Sequence, residues 1–169
     1  QKASRYFAFP FDAEGLRQKI DKECQVCDLH QDYRLRISLS KSGEIEIERK
    51  VLTPLSPTFC QAKLCLQEAD LQQAFTYFKT THRPHLTVGE QEIIYHTADG
   101  KLLETSIGNL VLKMNSKLYT PPSQLGLLPG IYRQHLLEIG QVEEKVLTIE
   151  YLKQAEVIYA CNAVRGLYE

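Results

Sequence analysis

Residues 104–133 read ETSIGNLVLKMNSKLYTPPSQLGLLPGIYR, and three features of this run have a chemical use. Glu104 leads to Asn109 and an apolar run at 110–112 that reads as a strand. Tyr119-Thr120-Pro121-Pro122 then breaks regular structure. Leu127-Leu128-Pro129-Gly130-Ile131-Tyr132-Arg133 has the form of a tight turn opening a helix, because proline loses nothing in a first helical turn. The amides that follow point free N–H groups outward, a ready site for phosphate. An acidic residue, a turn and such a helix start together predict a pocket for a charged, flat cofactor.

The same run resembles the signature of the fold-type IV (class IV aminotransferase) pyridoxal-phosphate enzymes. That pattern passes from a Glu through an Asn, an apolar strand and a threonine to a Leu-Pro-Gly-Ile segment ending in a basic residue. Here these are Glu104, Asn109, Thr120, Leu128 to Ile131 and Arg133. One position departs: Val111 stands where the family usually has Phe or Tyr, which changes packing more than chemistry. The resemblance implies an α+β fold of two domains, like D-amino-acid aminotransferase. A small domain is expected over 1–72 and a larger cofactor-binding domain over 73–169. It also implies that Glu104 faces the pyridine nitrogen of pyridoxal 5'-phosphate, where a carboxylate favours the protonated, electron-withdrawing ring. Asn109 belongs to the same cofactor set, and Gly130, Ile131 and Tyr132 would meet the phosphate. The loop holding Asn162 and Ala163 faces phosphate and substrate in relatives.

Upstream, Phe78-Lys79-Thr80-Thr81-His82-Arg83 carries a lysine at the family's distance before the glutamate. Taken alone it is a surface lysine after a helix. Beside the downstream signature it resembles the lysine that bonds covalently to the cofactor aldehyde. Such a lysine must spend time as a neutral amine, which desolvation or nearby positive charge favours. Arg83 is a source of that charge and a substrate-binding candidate.

Composition sets the frame. The chain has 169 residues, 43% hydrophobic and 24% charged, with a net charge of −1. It is therefore an ordinary globular chain with no bulk field for nucleic acid or an anionic membrane. No apolar run approaches a membrane span and no signal pattern opens it, so the expected location is the cytoplasm and the expected partner a small-molecule substrate. Five cysteines at scattered positions argue against a disulfide framework. Cys24 and Cys27 form a C-x-x-C, yet Cys60, Cys65 and the lone His30 do not complete a zinc set, and His82, His85, His96 and His135 show no ligand spacing. No metal is expected.

Along the first half, Asp12 reads as the cap of a helix to about Cys27, with Leu16, Ile20, Cys24 and Cys27 on one face. Residues 33–40 alternate, Ser42-Gly43 supplies a turn, and residues 44–48 alternate again, which predicts a β-hairpin. Phe59 to Leu66 is a further strand candidate. Relatives carry a strand arginine that faces the substrate carboxylate, and Arg36 is the candidate here; the alternative is a solvent-facing arginine on a polar strand face. The family's phosphate arginine would lie before Gln1, so a small domain incomplete at its N-terminus is expected.

In the second half a short helix or linker is expected over 68–78, then strand, turn and strand over 92–105. A helix over 130–139 should turn Leu136, Leu137 and Ile139 partly inward. A short helix near 150–154 and a strand over 157–161 complete the reading. Within the family, Arg83 at the fourth position after Lys79, Pro84 where several aminotransferases have Tyr, and the ending Asn162-Ala163-Val164-Arg165-Gly166 resemble aminodeoxychorismate lyases. The expected activity is release of 4-aminobenzoate and pyruvate from 4-amino-4-deoxychorismate, for folate synthesis. The alternatives are a branched-chain or D-amino-acid aminotransferase and a non-catalytic relic serving as a binding module. Family members are usually dimers, which implies a homodimer.

Overall fold

The computed structural model describes residues 1–54, 61–67, 71, 73–83, 86 and 91–169. They fall into two compact units, Gln1–Pro57 and Thr58–Glu169.

The first unit holds α1 (Lys2–Tyr6), α2 (Ala13–Gln25), β1 (Tyr33–Leu39) and β2 (Ile45–Val51). Asp12 caps α2 as its sequence position predicts, its carboxylate accepting the Gly15 amide at 2.9 Å. β1 and β2 form the expected antiparallel hairpin, from Tyr33 opposite Val51 to Leu39 opposite Ile45. Gly43 closes the turn at φ 88°, in the left-handed region that glycine enters without steric cost. α2 lies on this hairpin. Lys19 donates to the Ile45 carbonyl at 2.6 Å, and Arg49 donates to the Glu23 carbonyl at 3.0 Å.

The second unit is built on an eight-stranded sheet. Its strands are β3 (Ala62–Leu66), β4 (Glu92–His96), β5 (Leu102–Thr105), β6 (Asn109–Met114), β7 (Lys117–Thr120), β8 (Glu143–Glu144), β9 (Val157–Asn162) and β10 (Gly166–Tyr168). The main path runs β10-β9-β6-β5-β4-β3, and β7 joins β6 to β8. β3 lies before residue 72 in sequence, yet it pairs in parallel with β4 in this sheet. Phe59 and Cys60, the start of the expected strand, lie outside the described residues, as do Glu68, Pro84 and His85. Of the helix or linker expected over 68–78, α3 (Ala74–Tyr77) is helical.

β6 organises this unit because both of its faces are covered. Leu110, Val111 and Leu112 follow one another and each is fully buried, the mark of a strand enclosed on two sides. Leu110 and Leu112 join Ile94, Leu102, Met114 and Leu147 in one apolar cluster. Val111 joins Leu136, Val142 and Cys161 in another, so the smaller side chain at the departing position is a packed one. Asn115 and Ser116 link β6 to β7 with φ of 49° and 63°, the tight hairpin turn that asparagine tolerates. α4 (Ile131–Glu138) buries Leu136 while Ile139, expected to lean inward, is 57% exposed. It is the C-terminal cap of the helix, directly before the turn that Gly140 makes at φ 70°. α5 (Ile149–Gln154) completes the unit.

Candidate functional site

β5 ends at the carboxyl group on which the site is built. Glu104 is paired with Asn109 across the β5–β6 connection and is only 2% exposed. Arg83 Nη2 donates to Glu104 Oε1 at 3.1 Å, and the Leu128 amide donates to the same oxygen at 3.4 Å. Among the described residues no hydrogen bond reaches Oε2. Burial pushes the Glu104 carboxyl above its ordinary value, opposed by the Arg83 guanidinium, the Leu128 amide and, last, the Lys79 ammonium. Lys79 itself is an exposed residue in the segment between α3 and Arg83. Glu104, distant in sequence from Lys79 and Arg83, thus shares one electrostatic neighbourhood with them.

Asn109 ties this carboxyl to the start of α4. Its Nδ2 donates to the Leu128 carbonyl at 2.7 Å. Its Oδ1 lies 2.1 Å from where a Cβ on Gly130 would sit, so residue 130 has room for no side chain. Gly130 caps α4, and the first-turn amides of Ile131 and Tyr132 have no acceptor within the helix. Ile131, Tyr132 and Ala163 line an open depression of about 430 Å³ with Gln134, His135 and Glu138. Asn162 spends its carbonyl on the loop beside it, accepting the amides of Val164 and Arg165 at 2.9 Å each. Its Nδ2 donates to the Tyr168 hydroxyl at 3.2 Å. Asn109 and Asn162 therefore shape the turns of the site through their own side chains.

Arg133, the basic end of the motif, had no role assigned from sequence. It is 2% exposed and donates to Pro121 O at 2.7 Å, to Thr120 Oγ1 at 3.3 Å and to Glu144. Thr120 Oγ1 in turn donates to the Leu110 carbonyl at 2.7 Å. The arginine pins α4 to the end of β7, which explains why a basic residue follows the Pro-Gly turn. Nothing in the sequence pattern distinguishes such a buried anchor from an anion ligand. Arg36 lies in the first unit, exposed on β1, 3.9 Å from Glu48 across the hairpin. Among the described residues no group of three or more histidine, cysteine or acidic side chains is arranged to hold a metal.

These residues fit the group that the resemblance implies. A protonated ring nitrogen needs a buried carboxylate oxygen that is not already taken, and Glu104 Oε2 meets that description. A phosphate suits free amides at a helix start, and the lysine lies within electrostatic reach of the carboxyl.

The sequence model of amino-transferase class IV matches residues 1–169. The chain belongs to the class IV aminotransferase family. An aminodeoxychorismate lyase of Saccharomyces cerevisiae is 25% identical to it over 90% of this chain and 55% of its own. An uncharacterised protein of Haemophilus influenzae is 29% identical over 72% of this chain and 61% of its own. The chain thus spans 55–61% of the length of these two curated relatives. A crystal structure from Mesorhizobium loti, named for a supposed amino-acid aminotransferase, aligns with a TM-score of 0.82 at 23% identity. It covers 99% of this class IV chain and 84% of the other, so the two share a fold. Among the described residues no helix is long and apolar enough to cross a membrane.

Proposed function

We propose that this class IV protein is a pyridoxal-phosphate-dependent lyase that converts 4-amino-4-deoxychorismate into 4-aminobenzoate and pyruvate. The observation that carries the reading is the convergence of Arg83 on Glu104, with Lys79 four residues before the arginine in the same field. The Lys-x-x-x-Arg spacing and the Asn162-Ala163-Val164-Arg165-Gly166 ending favour the lyase branch, as does the similarity to the yeast lyase along 90% of this chain.

Bound pyridoxal phosphate would supply an electron sink for the substrate carbon that carries nitrogen. Glu104 is assigned to keep the ring nitrogen protonated through its open oxygen. Ile131 and Tyr132 would offer backbone amides to the phosphate, at a helix start held by the close fit of Asn109 against Gly130. Lys79 would hold the cofactor, and its amine would take the proton from the substrate ring carbon bearing nitrogen. The C–O bond to the enolpyruvyl group then breaks as the ring becomes aromatic. The enolpyruvyl carbon gains a proton, for which Lys79 is the available donor, and pyruvate leaves. Product atoms equal substrate atoms, so no second substrate enters. Arg36 is kept as the candidate for a substrate carboxylate, since an arginine fork matches two oxygens.

The test is incubation of purified protein and cofactor with 4-amino-4-deoxychorismate, with and without a 2-oxo acid. The lyase releases pyruvate and 4-aminobenzoate without the oxo acid, and Lys79→Ala abolishes both the release and the cofactor's visible absorbance band. Amino transfer that requires the oxo acid and yields no pyruvate would replace the lyase by an aminotransferase. A colourless protein under saturating cofactor would make it a binding module.

A further inference from the structure

The Arg83–Glu104 pair has features that a pair kept for stability alone does not need. Both side chains are largely buried, 17% and 3% exposed, and taking two charges out of water is costly. Arg83 Nε is buried with no acceptor, so the guanidinium sits where its own hydrogen bonding is incomplete. Its Nη2 is spent on Glu104 Oε1, the oxygen that also accepts the Leu128 amide. Two donors thus clamp one oxygen of the carboxyl, and among the described residues none reaches the other.

We propose that Arg83 is a positioning residue that keeps the buried Glu104 carboxyl ionised and turned with Oε2 towards the cofactor ring, instead of a ligand for the substrate. This rests on the pyridoxal-phosphate reading above. Low dielectric surroundings favour the neutral acid, and a neutral acid gives a ring N–H much weaker support than a carboxylate. Among the described residues the charged groups that act on Glu104 are Arg83 and, more weakly, Lys79, both within residues 79–83, and the uncharged Leu128 amide donates to the same oxygen as Arg83. Lys79 cannot serve as a permanent counter-charge, because its amine is the group assigned to bond the cofactor. Arginine can, since its guanidinium does not lose its proton in proteins.

The decisive measurement is made on cofactor-free protein, so it stands or falls separately from lyase turnover. Carboxyl ¹³C NMR of glutamate-labelled protein follows the Glu104 titration, identified by its absence in Glu104→Gln. In Arg83→Met the midpoint rises by about one pH unit or more, about tenfold in proton affinity. Arg83→Lys restores it towards the wild-type value, because charge and not shape is what counts. Pyridoxal-phosphate affinity at neutral pH, read by the visible band, falls in the methionine variant and recovers on acid-to-alkaline titration only where Glu104 ionises. Should Arg83→Met not fold, Arg83→Gln, a donor without charge, takes its place. An unmoved Glu104 midpoint in the neutral variants overturns the proposal. So does a lysine variant that behaves like the methionine one while its circular dichroism is that of wild type.

Discussion

Cys161 shows at the scale of one side chain how this interior treats an ionisable group. It is fully buried on β9 against Val111, Leu136 and Val142. Burial pushes its thiol from 9.0 up to about 11, and the Arg133 guanidinium pulls only weakly the other way. Because the folded value lies above the unfolded one, the contribution to stability is complete below about pH 9. It is lost as pH rises through the folded value, since the unfolded chain releases a proton that the folded chain retains. Tyr168 behaves alike at a higher range, its hydroxyl pushed by burial from 10.0 to about 12. The thiol is therefore best read between 9.0 and 10.0, before the phenol adds its own slope. In that window the wild-type denaturation midpoint is expected to fall with pH and that of Cys161→Ala to stay nearly level. The loss of the sulfur itself shifts the alanine variant by a roughly constant amount, about 1 kcal/mol. Equal slopes in the two proteins would mean that another group titrates.

At the scale of the element, the start of α4 depends on one interlock. Gly130 has φ −61° and ψ 142°, a conformation open to any residue, so glycine is not there for backbone freedom. It is there because Asn109 Oδ1 occupies the space of a Cβ. Gly130→Ala is expected to destabilise the fold by about 1–3 kcal/mol through overpacking. Asn109→Ala is expected to cost about 1 kcal/mol by removing its bond to the Leu128 carbonyl, which keeps the Gly130 amide as donor. Together they should cost less than the sum, because alanine at 130 enters the space that asparagine leaves. A denaturant double-mutant cycle reads a coupling of about 0.5–3 kcal/mol, and strict additivity would deny the interlock. The other anchor of α4 is Arg133. Arg133→Met should lose about 2 kcal/mol or more with its bonds to Thr120 and Pro121, whereas Glu144→Gln, whose own side chain is 39% exposed, should lose under about 1 kcal/mol. Elements of this kind differ in how far sequence betrays them. The β1–β2 hairpin and the α2 cap were legible because alternation and a capping Asp are local signals. The Pro129-Gly130 helix start was legible for the same reason. The parallel pairing of β3 with β4 was not, since partner choice across a long connection leaves no periodic trace. Nor was β10, whose three residues are too few to show alternation. The burial of Arg133 was hidden too, because its acceptors come from β7 and β8 and exist only once the sheet has formed.

For the whole molecule, the unequal distribution of the site over the chain has a measurable consequence. Lys79, Arg83, Glu104, Asn109, Gly130, Ile131, Tyr132, Asn162 and Ala163 all belong to the second unit, Thr58–Glu169. Arg36 alone belongs to the first. A cofactor bound through the former set stabilises the native form of the unit that holds it, by about 2.7 kcal/mol at a hundredfold excess over Kd. Amides that exchange only when that unit opens should then slow by about a hundredfold, while those reporting on an independent unit should not. Hydrogen exchange on the full chain, with and without pyridoxal phosphate, separates the cases. β5, β6 and the first turn of α4 are expected to gain protection, and β1 and β2 to keep their rates. Equal protection of the hairpin and the sheet by the cofactor alone would show that the two units open as one.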